Sequence, residues 1–255
     1  MKWGSDPGTI NFKNGDNMIS IRTIPFGIWF YRYLSIIRPL QKNIRKFKAE
    51  ENYEAERAEI RKAEDAWGKA LTEKAGIAIK VSGLEHIPEG PVVFVSNHQS
   101  YWDIPVFFAA IPNKQFGFVA KADLFKLPGF GTWIQDIRSV FIEREDARAS
   151  LRAIEEGVGL LAQGFSLAIF PEGTRSKGVK TGEFKKGSLR LATKAGVPII
   201  PVTLNGTYKA YEEKGYIQPA AVDFIIHPAI ITKYLSKKEV GELASVVEEI
   251  IQKAL

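Results

Sequence analysis

The chain has 255 residues, 45% hydrophobic and 25% charged, a balance that supports a packed core and excludes a disordered chain. It has no cysteine, which excludes disulfides, thiolate metal sites and a cysteine nucleophile, and three histidines (His86, His98, His227) are too few for a His-rich metal centre. The net charge of +6 points to an anionic partner, and it is uneven: from Asn17 to Ala49 no acid offsets Arg22, Arg32, Arg38, Lys42, Arg45, Lys46 and Lys48.

Residues 1–17 are polar and without period, and are set aside as a flexible start or an expression remnant, with Met18 as a native start. In Ile24–Leu40, Phe26, Trp29, Phe30, Tyr33, Leu34 and Ile37 fall at helical spacing. The run is shorter than the roughly 20 apolar residues a spanning helix needs, and Arg32 and Arg38 interrupt it. Aromatics mixed with arginine suit an interfacial helix. A second helix is expected over Lys42–Lys74, with Ile44, Phe47, Ile60, Trp67 and Leu71 as a sparse apolar stripe. Residues 18–75 thus read as an N-terminal two-helix membrane-docking hairpin.

Residues 76–255 have a different texture. Strands are predicted at Ile77–Val81, Val92–Ser96, Phe116–Ala120, Val140–Ile142, Leu167–Phe170, Ile199–Leu204 and Val222–Ile226. Helices are predicted at Ile104–Ala110, Ala147–Gln163, Ser188–Lys194 and Lys237–Lys253. The alternation gives an α/β domain, a partly parallel sheet flanked by helices.

Two strand ends carry chemistry. The first apolar strand ends in Asn97-His98, with Asp103 following. Ligands bind at the carboxyl ends of strands in such sheets. Within one helix, five positions put His98 and Asp103 about 140° out of register, so they meet only if the chain turns between them. Ser100 to Asp103 resembles a helix start, and Pro105 suits a first turn. A carboxylate on one ring nitrogen would fix the tautomer and leave the other nitrogen to accept a proton. No G-x-S-x-G elbow is present, and Ser96 and Ser100 lie too near His98 in sequence for a nucleophile–base geometry, so direct attack by a bound hydroxyl is the simpler scheme.

The second turn reads Phe170-Pro171-Glu172-Gly173-Thr174-Arg175-Ser176. Gly173 permits close backbone approach, Thr174 and Ser176 offer donors, and Arg175 offers a bidentate fork for phosphate. Glu172 would orient Arg175 or accept from a substrate hydroxyl. Lys121 and Arg144 also follow strands, and in a parallel sheet they would join Arg175 in an anion pocket beside His98.

These residues resemble the motifs of the glycerolipid acyltransferases of the 1-acyl-glycerol-3-phosphate acyltransferase type. Asn97–Asp103 resembles the first motif, Val140–Arg144 the second, Phe170–Ser176 the third and Val197–Val202 the fourth, all in order. Lys121 is similar to a lysine the family places near the phosphate, and Ser139 stands where the second motif often has glycine. The resemblance implies that His98, oriented by Asp103, is the general base for acyl transfer to the sn-2 hydroxyl of lysophosphatidic acid, giving phosphatidic acid. It implies an acceptor site of Lys121, Arg144, Glu172, Gly173, Thr174 and Arg175. Acyl-carrier protein or acyl-CoA would be the donor, with no metal or cofactor. The place of work would be an anionic membrane surface on the cytoplasmic face of the cell membrane. The competing reading is a non-catalytic protein that binds anionic lipid. Nucleic acid is not expected, because no recognised RNA motif is present and the aromatics do not line a basic groove.

Overall fold

The computed structural model describes residues 24–143 and 146–255, so residues 1–17, Met18 and Arg144 lie outside the described residues. The helical start is three helices: α1 (Ile24–Ile36), α2 (Arg38–Ala49) and α3 (Tyr53–Ala75). The second expected helix is divided at residues 50–52. Glu51 turns the chain with φ 52°, and the Asn52 side chain caps α3 by accepting from Ala55 N at 3.2 Å. Helix α2 starts where Pro39 can occupy the first turn at no hydrogen-bonding cost. Gly76, with φ 72°, ends α3 in the left-handed conformation that glycine adopts freely.

These helices are built into the fold. The side chains of Leu34, Ile37, Ile44, Ile60, Trp67 and Leu71 are buried, and burial contributes roughly 1.5–3 kcal/mol for each aliphatic among them. Arg45 of α2 forks onto Asp136 at 2.9 and 2.8 Å, and Arg138 forks onto Glu56 of α3 at 2.6 and 2.8 Å. Phe26, Trp29, Phe30 and Tyr33 of α1 are half-buried against the core, and Tyr33 donates to Ala66 O at 2.8 Å. The aromatic face read from sequence as membrane-facing therefore packs mostly inward, leaving Ile28 and Tyr31 exposed at 62% and 55%. No helix among the described residues is long and apolar enough to cross a membrane.

All seven expected strands form. They are β1 (Ile77–Ser82), β2 (Val93–Ser96), β3 (Phe116–Lys121), β4 (Val140–Ile142), β5 (Ser166–Ile169), β6 (Ile199–Asn205) and β7 (Ala220–Ile226). Their order is β1-β7-β6-β2-β5-β3-β4, and among these described strands only the β6–β7 pairing is antiparallel. The sheet is thus largely parallel, with β1 and β7 reversed at one edge. Helices α4 (Asp103–Ala110), α5 (Phe130–Asp136), α6 (Ala147–Ala162), α7 (Arg190–Ala195) and α8 (Lys237–Gln252) complete the fold. Right-handed crossovers from β2 to β3 and from β4 to β5 run in opposite directions along the sheet, so α4 and α6 take opposite faces. Helices α3 and α4 pack together on one face, whereas α6 and α7 pack together on the other, where α8 lies against β6.

Central strands are apolar throughout because both faces are covered. Val93, Phe94 and Val95 of β2 are fully buried. Ser139, where glycine is common in related motifs, uses its hydroxyl: Oγ accepts from Phe118 N at 2.9 Å at the β3 edge. The parallel strands β2, β5, β3 and β4 end on one rim, and β6 ends beside them. That rim holds the site.

Candidate active site

Strand β2 ends at Ser96, and the next residues turn into α4 under tight control. Asn97 is fully buried and reads the β6 backbone with both ends of its amide, donating to Leu204 O and accepting from Leu204 N, each at 2.8 Å. Gln99 Oε1 accepts from Gly206 N at 3.0 Å. These two amides pin the turn on either side of His98. Asp103 opens α4 and faces back into the turn, where Oδ2 accepts from Gln99 N at 2.8 Å, Ser100 N at 3.0 Å and His98 Nδ1 at 2.6 Å. Its other oxygen accepts from Thr207 Oγ1 at 2.5 Å.

The turn that the spacing demanded between His98 and Asp103 is present. Because Asp103 accepts, Nδ1 carries the hydrogen and Nε2 keeps its lone pair. The His98 side chain is 21% exposed, and no partner among the described residues engages Nε2. Phe170, just after β5, stacks on the imidazole at 4.2 Å between ring centroids and 15° between planes. The ring is thus fixed by a hydrogen bond at one edge and by a face contact.

Strand β5 delivers the second turn. Glu172 is buried and orients neither Arg175 nor a solvent-facing group. Its Oε1 accepts from His98 N and its Oε2 from Gly182 N, both at 2.7 Å. Burial pushes its pKa above the ordinary carboxylate value, and these two N–H donors work against that rise. The carboxylate thus ties the first turn, the second turn and the loop beyond. Ser176 N donates to His98 O at 2.7 Å, a further tie. Gly173 has φ 75°, a conformation costly for other residues, and Thr174 is exposed.

Arg175 points to the same cleft as His98. The cleft has a volume of about 390 Å³ and is lined by apolar side chains from α1, α3 and α4 together with His98, Tyr101 and Arg175. The guanidinium lies over the Tyr101 ring at 3.4 Å and donates to Glu212 Oε1 at 2.7 Å. Glu212 also accepts from Tyr101 N at 3.0 Å and Ser100 Oγ at 2.5 Å, which holds Arg175 to the first turn. Burial, with Glu212 next to it, raises the pKa of Tyr211.

His98, Asp103, Glu172, Gly173 and Arg175 are therefore gathered on one rim. Lys121 closes β3 on that rim, two strands from β2, but it is exposed, paired with Asp123 Oδ2 at 2.5 Å, and lines neither this cleft nor the cavity behind Phe170 described below. Glu212, Thr207, Asn97 and Gln99 were not among the sequence candidates. Thr207 and Glu212 lie more than a hundred residues from the first turn that they hold, and carry no local signature.

A model of the acyltransferase family matches residues 78–205, which span both turns, and the chain belongs to this family. Within it, similarity is to 1-acyl-sn-glycerol-3-phosphate acyltransferases. The chloroplastic protein of Arabidopsis thaliana is 38% identical over 60% of this chain and 43% of its own length. The protein of Borreliella burgdorferi is 33% identical over 71% of this chain and 73% of its own. The chain thus spans less than half the length of the chloroplastic relative. The crystal structure of the 1-acyl-sn-glycerophosphate (LPA) acyltransferase PlsC from Thermotoga maritima superposes with a TM-score of 0.69 at 30% identity, covering 89% of this chain and 93% of that one.

Proposed function

We propose that the protein transfers a fatty acyl group from a thioester to the sn-2 hydroxyl of 1-acyl-glycerol-3-phosphate, giving phosphatidic acid. The observation that carries this reading is the His98–Asp103 pair facing an apolar cleft that also holds Arg175. An amphipathic acceptor needs both an apolar wall for its chain and a cation for its phosphate, and the cleft provides them within reach of one base.

In this scheme His98 Nε2 takes the hydroxyl proton while Asp103 steadies the imidazolium that forms. The hydroxyl oxygen bonds to the thioester carbonyl carbon. The tetrahedral adduct then collapses with cleavage of the carbon–sulfur bond, and the proton on Nε2 passes to the departing thiolate. The Phe170 stack keeps the ring from swinging between these transfers. Arg175 uses the donors not engaged by Glu212 to hold the acceptor phosphate. Lys121, at the end of β3, would add to the positive potential there, as would Arg144, which follows β4 in the sequence and lies outside the described residues. The donor is acyl-carrier protein or acyl-CoA. Residues 76–255 supply the chemistry, and the helices before them bring the site to an anionic bilayer on its cytoplasmic side.

The test is an acyl-transfer assay with lysophosphatidic acid and both thioesters. His98→Ala is expected to lower turnover by roughly 10²–10⁴-fold with the fold retained. Unaltered turnover in a folded His98→Ala protein would end the proposal. Tight lipid binding by the parent with no turnover would favour the lipid-binding alternative.

A further inference from the structure

Behind Phe170 lies a second cavity, of about 290 Å³, on the sheet face opposite the N-terminal helices. Ile142, Ile154, Leu191, Phe170 and Gly173 line it, and Lys185 stands among them. Phe170 is the wall that it shares with the reaction centre, because the same ring stacks on His98. The acyl-transfer scheme uses the cleft on the helical face for the acceptor and leaves this cavity without a role.

The cavity opens beside an unneutralised cationic strip. Lys177, Lys180, Lys185, Lys186 and Arg190 are all exposed, and between Gly173 and Arg190 only Glu183 is acidic. None of the five has an ion-pair partner among the described residues, and they crowd into the fourteen positions from Lys177 to Arg190. The strip is held in place. Gly182 N donates to Glu172, Lys185 N donates to Pro171 O at 3.2 Å, and buried Phe184 donates through N to Glu248 Oε2 at 3.1 Å. Through Glu172, one carboxylate clamps this strip to the backbone of His98.

We propose that the cavity and its cationic rim are the dock of an acyl-carrier protein, whose acidic surface meets the strip while its acyl-phosphopantetheine arm enters the cavity. This rests on the acyl-transfer reading and gives the donor its own entrance, on the face away from the lipid. The distribution of charge favours a protein over a nucleotide. Five cations spread along a loop and a turn match an extended acidic surface, whereas a nucleotide calls for a concave polar pocket, and this cavity is mostly apolar. A bilayer fits less well, because Val179 is the only exposed large apolar side chain in the strip and the aromatic helix α1 is on the other side.

The experiment compares the full chain with Lys180→Glu/Lys186→Glu/Arg190→Glu, using acyl-carrier protein and acyl-CoA as donors and lysophosphatidic acid in detergent micelles. The triple variant is expected to raise KM for acyl-carrier protein by about ten-fold or more and to flatten its salt dependence, the signature of lost steering. KM for lysophosphatidic acid should stay within about two-fold. Ile154→Trp, which fills the cavity, is expected to raise the same donor KM while the salt dependence persists. An unchanged KM for acyl-carrier protein in the triple variant overturns the proposal. So does an equal rise for acyl-CoA, which would place a nucleotide phosphate on the strip, or a parallel loss of anionic-vesicle binding. Fluorescence anisotropy of labelled holo-carrier protein separates the two layers. If the parent binds the carrier, the triple variant does not, and neither transfers an acyl group, the dock stands and the acyl-transfer reading falls.

Discussion

Asp103 is fully buried and receives four donors, two from its own turn, one from His98 and one from Thr207 across the β6 connection. The Thr207 contact alone comes from outside the turn, so it sets how the carboxylate is tilted toward the imidazole. Thr207→Val keeps the shape and removes the donor, leaving a buried carboxylate oxygen short of a partner. The expected outcome is a loss of about 1–3 kcal/mol in stability and a several-fold fall in turnover, with Thr207→Ser restoring both. Thermal melting and steady-state kinetics on the three proteins check this; a Thr207→Val protein that matches the parent in both would remove Thr207 from the site. Sequence could place His98 and Asp103 because both lie in one segment with a telling spacing. Glu172 was found by its motif but given the wrong partner: its carboxylate turns inward to His98 N and Gly182 N rather than toward Arg175, a choice made by burial that spacing does not encode.

Strands were readable because seven short apolar runs stand between turn residues, and each forms with its edges within two residues of those expected. The break between α2 and α3 was not, because Glu50-Glu51-Asn52 is compatible with helix and only the packing of α2 and α3 as neighbours forces the reversal. Helix α5 escaped for the opposite reason, since its seven residues are too few to show a period. At the reversed edge, β6, β7 and α8 meet through one hydroxyl. Thr203 Oγ1 donates to Ile251 O at 3.1 Å and accepts from His227 Nε2 at 2.8 Å. Burial, and then the charge of nearby His86, hold His227 below its ordinary value of 6.5. The sign follows from proton counts. Between the depressed folded value and 6.5 the unfolded chain binds more protons, so stability rises with pH there and is lost as pH falls through that window. Urea midpoints measured from about pH 5 to 8 should climb with pH and level off near neutrality, and His227→Asn should flatten the climb. An identical slope in the variant would assign the effect elsewhere.

On the scale of the molecule, the three N-terminal helices complete the core and also present a surface. Gly68 of α3 sits so close to α4 that a Cβ there would lie 2.6 Å from Ala109 N, which makes the helical layer inseparable from the site it covers. A deletion before Gly76 would therefore unfold the protein instead of testing its approach to lipid. The exposed side of α1 gives a cleaner test. Ile28→Glu/Tyr31→Glu changes the outermost apolar positions and leaves the inward Phe26, Trp29, Phe30 and Tyr33 in place. Co-sedimentation with anionic vesicles should fall by at least about ten-fold while the melting temperature holds, as expected for an interfacial helix stripped of its apolar anchors. Undiminished sedimentation would mean that α1 does not face the bilayer.

The pairing of β1 with β7 also governs how the chain can be made. Ile77 lies beside Ala220 and Ser82 beside Ile225, and β1 has no other neighbour among the described strands. Of the described strands β1 is made first and β7 last, so β1 waits without its partner while β2, β3, β4 and β5 already have theirs. A contact of such long sequence separation closes late and slowly. Until then the half-finished sheet carries open backbone edges that a chaperone must shield or a second nascent chain can capture.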